Sequence, residues 1–183
     1  MRLGRLLWWV YQLSVLEFVL VFAGATLAFL WLYHRLGQWW GRRAALAVLL
    51  LLWVAAVLAT TVTNRTVGAT DAAYWLPLHS YREMLETGNR EILRSNLMNV
   101  ALFYPAGLLF MAALPKRWGY ARRLGLTVLL FGLFSLSIEL VQYRYLLGRA
   151  EIDDVLHNTL GAVIGCLALS LGSTSTKILP DDL

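Results

Sequence analysis

The residues of this chain that are best suited to chemistry lie between positions 135 and 165, inside two segments that are otherwise strongly apolar. Two carboxylates stand out there, Glu139 in the first segment and Asp154 at the start of the second. An ionisable side chain at membrane depth costs free energy unless it meets a partner or a wet cavity, so such residues indicate a functional site. A positioned carboxylate is suited to general-base catalysis. We therefore predict Glu139 as the base of any reaction and Asp154 as the group that orients a water, a hydroxyl or a metal.

Helical spacing places further polar residues beside these carboxylates, because residues three or four positions apart share one face of a helix. Gln142 follows Glu139 at this spacing, and Asn158 follows Asp154. The two faces together predict a polar pocket at one end of the segments. Its predicted substrate-binding residues are Gln142, Arg149, Asp153, Asn158, Asn96 and Asn99. Arg149 offers a bidentate pair of N–H donors that suits a phosphate.

The same two regions contain small residues at helix-packing positions. Gly161 and Gly165 form a GxxxG pattern, which lets a second helix approach closely. The predicted packing residues are Gly161, Gly165, Pro105 and Gly107.

The composition defines the broad class of protein. Of the 183 residues, 59% are hydrophobic, and the mean hydropathy is +0.61. Several apolar runs approach or exceed the roughly 18 to 20 residues that cross a bilayer, so the sequence predicts an integral membrane protein. The net charge of +5 comes from arginines beside apolar segments, where they act as topology signals, and we therefore exclude nucleic acid as a partner. The single cysteine, Cys166, cannot form an internal disulfide.

The apolar runs predict five spans, at residues 6–33, 44–62, 97–114, 124–146 and 155–171. The predicted fold is all-α, a polytopic membrane helical bundle of about five transmembrane helices. Between the second and third spans, residues 76–93 mix apolar and charged side chains. This mixture predicts a helix that lies along the membrane surface.

The orientation follows from the parity of the spans and from the charges of the loops. With five spans, the N-terminus and the connections after the second and fourth spans share one side, which we call side A; the opposite side is side B. Glu17, Glu139 and Asp154 all lie at or nearer to side A. The two side B loops are short and rich in Lys and Arg, which predicts that side B is cytoplasmic, although Arg2 and Arg5 argue the other way. We predict a multi-pass protein of the bacterial cytoplasmic (inner) membrane.

Two motifs in these spans carry a family resemblance. They read SNLMNVALFYPAGLLF at residues 95–110 and SIELVQ with GRAEIDDVLHNTLGAVIG at residues 137–165. The chain resembles the VanZ-like family of small bacterial membrane proteins, through Asn96, Asn99, Phe103, Pro105, Gly107, Glu139, Gln142, Arg149, Asp153, Asp154, Asn158 and Gly161. It departs from the family pattern at Tyr104 and Ala106, where an aliphatic residue before the proline and a bulkier residue after it are common, and at Leu78, where Phe is frequent. The resemblance divides the chain into 1–43, with the first span and a cytoplasmic loop, a VanZ-like domain at 44–172, and a polar tail at 173–183.

The resemblance implies a role in the cell envelope, because the namesake of the family is associated with resistance to the glycopeptide antibiotic teicoplanin. We expect the predicted pocket to bind an envelope lipid or lipid-linked cell-wall precursor at the outer leaflet. Modification of that lipid is an alternative that the sequence leaves open. Membrane lipids are then the expected partners, and whether the protein is an enzyme stays open. We predict no cofactor and no metal, because Asp153 and His157 provide two ligands where a site needs more.

Two other classes of function remain open from the sequence. A small proton-coupled transporter also needs carboxylates in a wet cavity, although inverted repeats are not visible here. An assembly or scaffold protein would use the same polar residues for packing alone. In that version Glu139 and Arg149 form a structural ion pair, and the asparagines make hydrogen bonds between helices.

Overall fold

The computed structural model describes Trp31, Arg35 and residues 41–63, 65, 67–68, 72–115 and 117–175. In chain order the elements are α1 (Arg42–Leu58) with a π-helical turn (Ala59–Thr63), β1 (Ala73–Tyr74), α2 (His79–Thr87), α3 (Arg90–Ala113), α4 (Tyr120–Tyr145), β2 (Ala150–Glu151) and α5 (Ile152–Ser175). The two strands have two residues each. The predicted all-α class is therefore confirmed.

Four helices are long and apolar enough to cross a membrane: Ala44–Thr63, Arg90–Ala113, Tyr120–Tyr145 and Ile152–Ser170. They correspond to the second to fifth predicted spans. The first predicted span, residues 6–33 with Glu17, lies outside the described residues except for Trp31, which is helical. The short α2 falls within the stretch that predicted a surface helix.

Helix α3 begins at Arg90, well before the apolar run at residue 97, because its first turn is capped. The side-chain oxygen of Asn89 accepts a hydrogen bond from the N–H of Glu91 at 3.0 Å. Glu91 also places a negative charge near the positive end of the helix dipole. The helix therefore presents polar residues, including Asn96, from its first two turns.

Helices α3 and α5 touch backbone to backbone through glycines. A Cβ atom at Gly161 would lie 2.1 Å from the carbonyl oxygen of Val100, and one at Gly165 would lie 2.2 Å from that of Tyr104. In the opposite direction, a Cβ at Gly107 would lie 2.2 Å from the carbonyl oxygen of Ala162. No other residue type fits at these three positions without moving one of the helices.

The apolar core is centred on Phe103 of α3, which is fully buried. Its ring packs against Phe131 and Phe134 of α4, with ring centroids 6.1 and 5.9 Å away. Helix α1 is attached to α3 by Trp53, whose Nε1 donates a hydrogen bond to the carbonyl oxygen of Leu102 at 2.7 Å. Pro105 is buried two residues further along α3 than Phe103. The core thus fixes the four long helices below the polar residues of side A.

Candidate functional site

Two loops meet at side A and form a polar cap over the helix ends. Strands β1 and β2 pair in parallel, with Ala73 opposite Ala150, although they come from the connections before α3 and after α4. The N–H of Ala150 donates to the carbonyl oxygen of Ala72 at 3.1 Å, and that of Gly68 donates to Leu146 at 2.9 Å. The connections after the second and fourth predicted spans therefore lie at the same end of the bundle.

Arg149 fastens this cap. Its two terminal nitrogens donate to the two carboxylate oxygens of Glu83, and the bond from Nη1 has a length of 3.1 Å. Its Nε lies 3.0 Å from a carboxylate oxygen of Glu151. The guanidinium also stacks over the ring of Tyr74 at 4.7 Å. In this structure Arg149 is therefore paired with Glu83 and Glu151, and the ion pair with Glu139 that the sequence left open is not formed. A phosphate at Arg149 would first have to displace Glu83.

The pairing changes the acidity of the groups involved. The hydrogen bond from Arg149 lowers the pKa of Glu83, and the same bond raises the pKa of Arg149. Burial raises the pKa of Glu151, in spite of its contact with Arg149. At neutral pH, Glu83 is thus the fully ionised partner that holds Arg149 in the cap.

This pairing predicts a pH-dependent stability difference between the wild type and the Glu83→Gln variant. The usual pKa of 4.5 of Glu83 is lowered by folding, so its contribution is present above pH 4.5 and is lost as the pH falls through the folded value. Both side chains are about one third exposed, so we expect a loss of about 1 kcal/mol at pH 7. Thermal unfolding in detergent should show this gap at pH 7 and its progressive closure as the pH is lowered from 4.5 through the folded pKa. An exposed neighbour on α2, in the variant Glu86→Gln, is the matched control, and a gap that does not change with pH would contradict the assignment.

Asp153 points away from the cap surface and holds α2. Its carboxylate oxygens accept the backbone N–H of Leu78 at 2.6 Å and of Ser80 at 2.7 Å, and the side chain is 1% exposed. These bonds stabilise the start of α2, where Leu78 has a left-handed backbone with a φ of 64°. Asp153 was predicted as a substrate-binding residue, but the structure places it in a buried structural contact. His157, one turn later, contacts the hydroxyl of Tyr81 at 2.7 Å.

Glu139 lies beneath the cap and is 1% exposed. One of its oxygens accepts the backbone N–H of Glu151 at 2.9 Å, which ties α4 to β2. Glu139 does not line the side A cavity described below. Its predicted role as a general base therefore has no direct access to a ligand in that cavity and stays a prediction.

Two of the predicted amide residues, Gln142 and Asn158, make contacts between elements instead of lining a common pocket. Gln142 donates to the carbonyl oxygen of Thr61 at 2.9 Å, and Asn158 donates to the hydroxyl of Ser135 at 2.8 Å. Both side chains are buried. Asn99 is partly buried on α3, and its amide nitrogen has no hydrogen-bond partner in the described part of the chain. These contacts fit the structural interpretation of the buried amides.

An open cavity of about 320 Å³ lies at side A between the cap and the ends of α3 and α5. It brings together Asn96, Arg149 and Asp154 from the predicted site, whereas Glu139, Gln142, Asp153, Asn158 and Asn99 lie outside it. The full lining consists of Arg65, Glu83, Asn89, Glu91, Ile92, Ser95, Asn96, Arg149, Glu151 and Asp154. We call this space the side A cavity.

Several lining residues were missed by the sequence reasoning. Glu83 lies in the predicted surface helix. Glu151 lies inside the motif GRAEIDD, and its position two residues after Arg149 in the sequence was the signal that could have identified it. Arg65 stands alone in a polar loop, and no spacing rule connects it with the other residues. Among the described residues, no group of three or more His, Cys, Asp or Glu side chains is arranged to hold a metal ion.

Four long apolar helices beneath a polar cap define a small helical membrane protein. The chain belongs to the VanZ/LLP1 family, whose family model matches residues 44–173. It is similar to "Protein VanZ" of Enterococcus faecium, with 34% identity over 91 residues, or 50% of each chain. The chain thus spans about half the length of that curated relative. No solved structure matches the chain.

Proposed function

We propose that the protein binds the polar headgroup of an envelope lipid or lipid-linked cell-wall precursor in the side A cavity. The observation that carries this proposal is the position of a polar cavity at the ends of two helices able to cross a membrane. There the headgroup of a lipid contacts charged side chains, while the hydrocarbon chains of the same lipid lie against apolar helix surfaces. The volume of about 320 Å³ suits a headgroup and leaves the hydrocarbon chains outside.

The proposal places the protein in the bacterial cytoplasmic membrane as a multi-pass protein with side A facing outward. The Lys and Arg residues of the two short side B loops support this orientation. Membership of the VanZ/LLP1 family and similarity to Protein VanZ support a role in glycopeptide tolerance, because the namesake of the family is associated with resistance to teicoplanin. The protein would change the tolerance of the cell by binding the lipid that carries or surrounds the antibiotic target.

A variant that fills the cavity tests this function. Ser95 is a partly buried lining residue on α3, and the bulky indole of Ser95→Trp would occupy space that the headgroup needs. We expect the purified variant to retain lipid at least about tenfold less than the wild type, as measured by native mass spectrometry. Cells that carry it should lose the glycopeptide tolerance supplied by the wild-type protein.

The matched control is Leu93→Trp, on the same helix. Leu93 is 38% exposed and does not line the cavity, so its replacement adds the same ring without blocking the site. Both variants should have unfolding temperatures close to that of the wild type. Equal lipid retention and equal tolerance in Ser95→Trp and Leu93→Trp would contradict the proposal.

A further inference from the structure

The side A cavity contains one carboxylate that forms no ion pair within the described residues. Glu83 and Glu151 contact Arg149, and Glu91 pairs with Arg94 at 3.2 Å. Asp154 forms no ion pair and no hydrogen bond with any residue in the described part of the chain. A partly buried carboxylate without a partner is unfavourable, so the site is suited to a cation brought by a ligand.

Asn96 adds an amide carbonyl oxygen to the lining of the same cavity. Asn96 lines the cavity although it is only 4% exposed, and its amide nitrogen donates to the hydroxyl of Ser80 at 3.1 Å. This orientation is fixed because the Ser80 hydroxyl also lies against the carboxylate of Asp153, which can only accept. The Oδ1 atom of Asn96 is thus left without a partner among the described residues. It offers an acceptor to an N–H group of a ligand.

A free guanidinium completes the lining. Arg65 is exposed, lines the cavity and forms no ion pair within the described ranges. Its Nη1 lies next to Gly148, where a Cβ atom would be 3.2 Å away. It is close enough to Asp154 for an electrostatic interaction. The cavity therefore presents one carboxylate and one guanidinium that form no ion pair within the described residues.

We propose, building on the lipid-binding function above, that the side A cavity binds a zwitterionic headgroup in which a primary ammonium stands next to a phosphate. Asp154 and the Oδ1 atom of Asn96 accept the N–H groups of the ammonium, and Arg65 binds the phosphate. A trimethylammonium has the same charge but no N–H donor. A phosphoglycerol headgroup has the phosphate but no cation. The acceptors of the site thus select the primary amine.

Competition between three lipids tests this specificity on the full chain. Equal amounts of phosphatidylethanolamine, phosphatidylcholine and phosphatidylglycerol with identical acyl chains are added to the detergent-solubilised protein, and the retained lipid is counted by native mass spectrometry. We expect phosphatidylethanolamine to exceed each of the others about tenfold, the effect of one hydrogen bond to a charged group. Equal retention of the ethanolamine and choline lipids by the wild type would overturn the proposal without any variant.

Variants assign the preference to its residues. Asp154→Asn should reduce the preference for the ethanolamine lipid over the choline lipid to within about twofold, and Arg65→Gln should weaken binding of both. Glu86→Gln removes an exposed carboxylate of α2 outside the cavity and should leave the preference unchanged. A full preference in Asp154→Asn would overturn the assignment.

Further outcomes distinguish a free headgroup from a membrane lipid, and failure of the headgroup specificity from failure of lipid binding itself. If soluble phosphoethanolamine displaces the bound lipid and phosphocholine does not, the site recognises the free headgroup. If the preference for ethanolamine appears only among lipids that carry acyl chains, the ligand is a membrane lipid. If Ser95→Trp loses bound lipid but the wild type shows no preference for the lipid with a primary amine, the lipid-binding function stands and the proposed specificity is overturned. Absence of any retained lipid would overturn both.

Discussion

Replacing Gly161 by leucine is expected to abolish the folded protein, with a loss of more than about 3 kcal/mol of stability. The Cβ atom alone would lie 2.1 Å from the carbonyl oxygen of Val100, and that oxygen belongs to the backbone of α3 and cannot turn aside. The two helices would have to separate, which would also break the contacts at Gly165 and Gly107. Fluorescence-detected size-exclusion chromatography and thermal unfolding in detergent measure this effect.

The structure supplies a close control for this prediction. Gly125 lies in α4, and a Cβ atom there would meet nothing within 4 Å, so Gly125→Leu should express and unfold like the wild type. The smaller change Gly161→Ala should already lower the unfolding temperature, because the clash begins at Cβ. A Gly161→Ala protein as stable as the wild type would show that α3 and α5 do not touch at this point.

The helices and their closest contact could be largely predicted from the sequence, because hydropathy and helical spacing are local properties. Apolar runs gave the positions of the four described spans, and the spacing of Gly161 and Gly165 indicated a close-packing face. The start of α3 was missed by several residues. It depends on a capping bond of Asn89, which lies outside the apolar run that defined the span.

The composition of the cavity could be predicted only in part, because its walls are set by contacts between distant segments. Arg149 and Glu83 are 66 residues apart, and no spacing rule relates them. Asp153 and Asp154 were both assigned to the site, yet adjacent residues on a helix point about 100° apart. The docking of α2 decides which of the two faces the cavity, since its backbone N–H groups occupy Asp153.

The adjacent pair Asp153 and Asp154 gives the second large effect. The carboxylate of Asp153 accepts the backbone N–H groups of Leu78 and Ser80, one at each oxygen. Asp153→Asn keeps one acceptor oxygen for one of these N–H groups and turns an NH₂ group towards the second N–H group. One buried donor is left without a partner and two charge-assisted bonds are lost or weakened, so we expect a loss of about 3 kcal/mol. Asp154→Asn removes a carboxylate without a partner in the described structure and should change stability by less than about 0.5 kcal/mol.

Thermal unfolding of the two variants side by side, followed by the lipid competition on each, separates structure from recognition. Asp153→Asn should unfold at a lower temperature and lose α2 from the cap, which proteolysis at the exposed residues of α2 would detect. Asp154→Asn should unfold like the wild type and lose only the preference for the primary amine. If Asp154→Asn were as unstable as Asp153→Asn, Asp154 would be a structural residue and could not serve as the ammonium site. If Asp153→Asn were as stable as the wild type, α2 would not be held by this carboxylate, and the cap would need a different anchor.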